Sequence, residues 1–205
     1  MAIGSSMIIE NMNSMMKSGL ASLAFFYCDF REDEKRDIRG LLSSVLVQLC
    51  HQSDSYHQIL SSFYSEHVNG SKHFSNVELV QCLKDILEVP GQAPVYLILD
   101  GLDEFSNTSG MPSPREKLLI LLEDLVDSQL PNLHICVTSR PEFDIKVALE
   151  HLTFRSVSLH DESGQLEDID NYIKSVVNTD PNMLSWKTAD KELVIDVLIK
   201  KSDGM

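Results

Sequence analysis

The chain has 205 residues, 43% of them hydrophobic, with only 9 Gly and 7 Pro, enough apolar material for a packed core and too little loop-forming material for a disordered protein. Seventeen Lys and Arg stand against 31 Asp and Glu, a formal net charge of -14. A field of that sign repels phosphate backbones and anionic lipid, which argues against nucleic acid and membrane surfaces as partners.

Taken in chain order, the first ten residues, MAIGSSMIIE, lack a basic leader and a sustained apolar segment, and a helix-like run continues to about Lys17. A short apolar run from Leu23 to Cys28 reads as a strand. The charged stretch Arg31 to Asp37 reads as a wetted helix start, because Ile38, Leu41, Leu42, Val45, Leu46 and Leu49 then line one face of a helix from about 35 to 50. Ser75 and Glu78 have the spacing of a capping box ahead of a second helix carrying Leu79, Leu83, Ile86 and Leu87. Val95 to Leu99 is the next strand, Asn107 to Pro114 a surface loop, and 115 to 128 a helix with Leu118, Leu122 and Leu125 inward. Strands at Leu133 to Val137 and Phe154 to Leu159 follow, then helices at about 165 to 178 and 189 to 201.

Continuous apolar strands alternating with amphipathic helices define an α/β class, with a parallel sheet covered by helices on both faces. Cys28, Cys50, Cys82 and Cys136 all lie in apolar stretches and form no C-x-x-C pair, so they read as buried, reduced thiols of a cytoplasmic protein. The histidines show no metal-ligand spacing, and no G-x-S-x-G elbow or D-x-D pair occurs.

Ligands of parallel α/β sheets bind at the carboxyl ends of strands. There, Asp100-Gly101-Leu102-Asp103-Glu104 places three carboxylates in five residues, a hard oxygen cluster suited to Mg²⁺, with Gly101 allowing close approach to the backbone. A solvated acidic loop is the bland alternative. After the strand Leu133 to Val137 comes Thr138-Ser139-Arg140-Pro141, where the guanidinium could meet a γ-phosphate if Pro141 opens a helix. A surface arginine paired with a nearby carboxylate is the alternative there.

Together, the apolar strand with DGLDE and the apolar strand with TSRP resemble the Walker B and sensor 1 segments of NACHT-type P-loop NTPases of the STAND class. The segment Leu23 to Arg31, LAFFYCDFR, resembles the second strand region of the fungal branch of that family, the nephrocystin-like N-terminal domains. The resemblance implies Asp100 as the Mg²⁺ carboxylate, Asp103 and Glu104 as the pair that orients attacking water, and Arg140 as the sensor arginine. It also implies a three-layer P-loop-like core over 1–160, a helical extension over 161–205, and a sheet order of 5-1-4-3-2.

No G-x-x-x-x-G-K-[ST] occurs in the sequence. The nearest match is Gly4-Ser5-Ser6, in which Ser6 resembles the Mg²⁺ hydroxyl and Ser5 stands where lysine is expected. Loss of that one charge-assisted contact costs about 1.5 to 3 kcal/mol, or roughly 10- to 150-fold in affinity. The first, central strand is also missing relative to the family, and the chain looks cut at both ends. The resulting expectation is a Mg²⁺-dependent ATP or GTP switch of a signal-transducing protein, impaired in nucleotide binding, with other protein modules or a second copy as partners. A non-catalytic interaction module is the alternative.

Overall fold

The computed structural model describes residues 2–32, 37–67, 74–107, 110–158 and 163–202, with backbone only for 2–7, 66–67, 163–168 and 202. Contacts divide the chain into two units, residues 1–153 and 154–205.

In the first unit a helix, α1 (Ala2–Lys17), precedes β1 (Ser22–Tyr27). Three helices follow, α2 (Ile38–Cys50), α3 (Asp54–His67) and α4 (Asn76–Leu87), before β2 (Val95–Asp100). Then α5 (Pro114–Asp127) leads to β3 (Leu133–Val137), and α6 (Phe143–Glu150) follows. The three strands form one parallel sheet in the order β1-β2-β3, with Ser22 opposite Val95 and Val95 opposite Leu133. This is an α/β fold with a parallel sheet flanked by helices on both faces.

Local chemistry explains the helix boundaries. Asp37 opens α2 by accepting the Gly40 N–H at 2.7 Å. The capping box of Ser75 and Glu78 forms, and a second one, Ser113 with Glu116, starts α5 at Pro114. Each box satisfies main-chain donors that the first turn leaves free.

One face of the sheet carries Ala24, Phe26, Val95, Leu97 and Leu99 into the main core against Leu41, Val45, Leu83, Ile86, Leu118 and Leu122. On the other face α1 lays Ile9, Met12 and Met16 over Leu23, Phe25, Tyr96 and Ile98. α1 leads through a short turn into the amino end of β1 and packs against β1 and β2.

Several expectations are corrected. Residues 154–158 form no strand, and Phe154 and Val157 are exposed; Leu159 lies outside the described residues. A strand needs a partner ladder to persist, and among the described residues the ladders join only β1, β2 and β3. Two helices are additional to those read from the sequence. In α3, Tyr56 is buried while Ile59, Leu60 and Phe63 pack against the core; α6 is only 8 residues long and buries Ile145. Pro141 lies before α6, whose N-cap is Glu142, so it does not open the helix. Pro114 belongs to α5, not to the preceding loop. Cys28, Cys50 and Cys82 are buried free thiols, whereas Cys136 is only partly covered.

The second unit consists of α7 (Ser163–Thr179) and α8 (Thr188–Ser202), packed on each other, with Val177 buried. No described helix is long and apolar enough to cross a membrane.

Candidate functional site

The carboxyl end of β2 is a tight turn built on Gly101, whose φ of 77° is left-handed, a conformation open to glycine at no steric cost. The Gly101 N–H donates to both the carbonyl and the hydroxyl oxygen of Thr138, at 3.1 and 3.0 Å, and the Leu102 N–H reaches the same carbonyl at 3.0 Å. Gly101 therefore spends its donor on the loop after β3; its use here is to turn the chain into the short 3-10 helix Leu102–Glu104, which carries the remaining acids.

Each carboxylate in the cluster has a distinct partner. Asp100, 9% exposed, accepts the Thr138 hydroxyl through Oδ1. Asp103 accepts the Arg140 N–H at 3.0 Å through Oδ1 and lies 3.4 Å from Arg140 Nε through Oδ2. Glu104 Oε2 accepts the Phe30 N–H from the loop after β1 at 3.1 Å. Three loops, one from each strand, are thus knotted through the acidic cluster. All three carboxylates bear on the Cys28 thiol beneath them, and burial first, then Asp100, Glu104 and Asp103, pushes its pKa up to about 12.

Arg115 supports this turn from behind. Its buried guanidinium donates to the Phe105 carbonyl at 3.1 Å and the Asp103 carbonyl at 2.6 Å, and pairs with Asp144 of α6 at 3.2 Å. The sequence reading missed both Arg115 and the part played by Thr138. The Ser113/Glu116 box spacing could have located the helix start that presents Arg115, but the long-range pairings have no local signature.

Asp100, Asp103, Glu104 and Arg140 therefore meet at one end of the sheet. Arg140 is paired with a carboxylate and still has a side chain 69% exposed, so both sequence-level readings of it describe part of what it does. Gly4 and Ser6 lie in the first turns of α1, and their side-chain positions lie outside the described set. Asp100 Oδ2 and Glu104 Oε1 have no protein partner among the described residues. No described group of three or more His, Cys, Asp or Glu could hold a metal by itself.

These features define an α/β protein with polar groups gathered at the carboxyl ends of a parallel sheet. The chain matches the family model described as Nephrocystin 3, N-terminal over residues 2–140, and it belongs to that family. No curated protein and no solved structure matches it.

Proposed function

We propose that the chain carries the metal-binding and sensor part of a NACHT-type nucleotide switch of the P-loop class, acting in signal transduction, with ATP or GTP as ligand. The observation that carries this reading is the convergence of Asp100 and Arg140, from adjacent strand ends, through the Thr138–Asp100 and Arg140–Asp103 contacts. The observed order β1-β2-β3 fits the 4-3-2 portion of the sheet order that the family resemblance implies.

In this reading Asp100 would hold Mg²⁺, which when bound would neutralise phosphate charge. Glu104 orients the attacking water and accepts its proton. Arg140 meets the γ-phosphate with the face of its guanidinium turned away from Asp103, and Asp103 fixes the direction of that arginine. Ser6 and the backbone near Gly4 are the nearest groups to a phosphate cradle. Without a glycine loop and its lysine, affinity is weak.

Calorimetric titration of the chain with MgATP and MgGTP tests the proposal. The expected result is Mg²⁺-dependent binding weaker than about 100 μM that disappears in Asp100→Ala. Asp100→Asn should weaken binding, whereas Glu104→Gln should leave binding intact and slow any turnover. Complete silence toward both nucleotides at millimolar concentration would replace this reading with the second one, a module acting by protein contact alone. That second reading is favoured by one specific observation: each acid of the cluster already has a partner within the protein.

A further inference from the structure

Arg115 is the second residue of α5, and its side chain is only 10% exposed. A cation in the first turn of a helix meets the unfavourable end of the helix dipole, and a guanidinium taken out of water must place its N–H groups on acceptors. The service of Arg115 therefore lies outside α5. Its Nε donates to the Phe105 carbonyl and its Nη2 to the Asp103 carbonyl, at 3.1 and 2.6 Å. Those two carbonyls stand on either side of Glu104, so the planar fork fixes the stretch of main chain from which the Glu104 side chain departs. The third arm, Nη1, lies 3.4 and 3.2 Å from Oδ1 and Oδ2 of Asp144.

Asp144 belongs to the other half of the site. It is the second residue of α6, a few positions after Arg140, and the chain between them is bent by the Glu142 N–H donating to the Arg140 carbonyl at 2.8 Å. Asn107 Nδ2 donates to Asp144 Oδ2 at 3.2 Å, and Ser113 Oγ to Asn107 Oδ1 at 3.3 Å, so the carboxylate is held from two sides. The direct link between the halves, Asp103 with Arg140, ends on a side chain 69% exposed, where water and salt weaken an ion pair. At the Arg115–Asp144 link the guanidinium is out of water, and a planar fork on three acceptor groups resists rotation as well as separation.

We infer that Arg115 and Asp144 are positioning residues forming a brace, which sets the separation between Glu104 on the turn after β2 and Arg140 on the loop after β3. Arg115 acts through the main chain on both sides of Glu104. Asp144 acts through Arg115 and through the start of α6. The chemical parts of Glu104 and Arg140 rest on the nucleotide reading above, whereas the brace concerns only where those residues are held. The competing role for Asp144 is that of an acid in the first turn of a helix, favourable to α6 and to nothing beyond it.

Amide NMR spectra of the intact chain separate the two roles. The Phe30 N–H donates to Glu104 Oε2 and the Arg140 N–H to Asp103 Oδ1, so these two protons report the position of the acidic turn, and Phe30 belongs to neither α5 nor α6. Asp144→Ala, at a side chain 37% exposed, should move both protons upfield as their bonds to carboxylate lengthen. In an Arg115→Lys background, which keeps the charge and loses the fork, adding Asp144→Ala should leave the Phe30 proton where Arg115→Lys alone put it. Asp144→Asn, which keeps an oxygen for Nη1, should displace Phe30 less than alanine does. Shifts confined to α6 in Asp144→Ala overturn the brace, as does an equal Phe30 displacement in both backgrounds. These spectra contain no nucleotide, so silence toward MgATP removes the nucleotide reading and leaves the brace standing. Where MgATP is hydrolysed, Asp144→Ala should lower kcat about tenfold or more with KM little changed, because misplacing an orienting group acts on the transition state; an unchanged kcat overturns the brace.

Discussion

β1 and β3 flank the same central strand, and each is tied to it at the carboxyl end, yet they differ in nearly everything else. β1 is mostly buried, the outer main-chain N–H and C=O of its Phe25 and Leu23 are taken by the side-chain amides of Gln48 and Gln52, and Cys28 just beyond it is sealed under three carboxylates. β3 is only partly covered, and its loop supplies the polar groups, Thr138 and Arg140, that face the acidic turn. The closed strand secures the fold, while the other holds the groups that can meet something else.

The largest expected effect comes from opening the closed edge. Gln48→Ala with Gln52→Ala leaves two part-buried N–H and C=O sets unpaired. At about 1 to 3 kcal/mol for each unmet group set, urea denaturation should show a loss of about 2 to 6 kcal/mol. If the amides merely decorate the surface, the midpoint will not move.

Alkaline titration comes next. The Cys28 thiol is raised from 9.0 to about 12, by burial and then by Asp100, and Cys82 from 9.0 to about 11, chiefly by burial. Both stay neutral in the folded state, so their contribution is complete below pH 9 and is lost as pH rises toward 11 and 12. The slope is at most about 1.4 kcal/mol per pH unit for each thiol. A chain whose stability is flat between pH 9 and 11 would contradict that burial.

On the β3 side, Thr138→Val keeps the shape and removes the hydroxyl that binds both Asp100 and the Gly101 N–H. A loss of about 1 to 2 kcal/mol is expected in the same assay. Arg140→Ala is the mildest change. Its exposed pairing with Asp103 should contribute less than about 1 kcal/mol to folding, and a larger effect would mean that the arginine is a structural clamp above all.

How much of this was legible before the coordinates follows from the range of each interaction. The apolar face of α2 and the box at Ser75 are local patterns, and they lie where periodicity puts them. The three strands among the described residues were legible as uninterrupted apolar runs. The helix α3 carries its own i, i+3, i+4, i+7 signal in Tyr56, Ile59, Leu60 and Phe63, but among many polar residues. Phe154 to Leu159 resembled a strand because its composition suits one, but 154–158 form no strand in the structure. At the candidate site the acids and the arginine were legible as strand-end residues. Their pairings were not, since Asp103 meets Arg140 across 37 positions of sequence, Glu104 meets Phe30 across 74, and such distances leave no trace in composition.

The glutamine cap also works as a vernier between two kinds of secondary structure. Four residues of helical chain advance about 6.0 Å and two residues of strand about 6.6 Å, so Gln48 and Gln52 can match Phe25 and Leu23 together only in one alignment of α2 along β1. Sliding the strand by a single residue would bring both amides against groups already committed to β2, and advancing the helix by one residue would turn both amides about 100° away from the edge. The spacing therefore acts as a ratchet tooth that fixes, during assembly of the core, which residue of the helix comes to rest beside which residue of the strand.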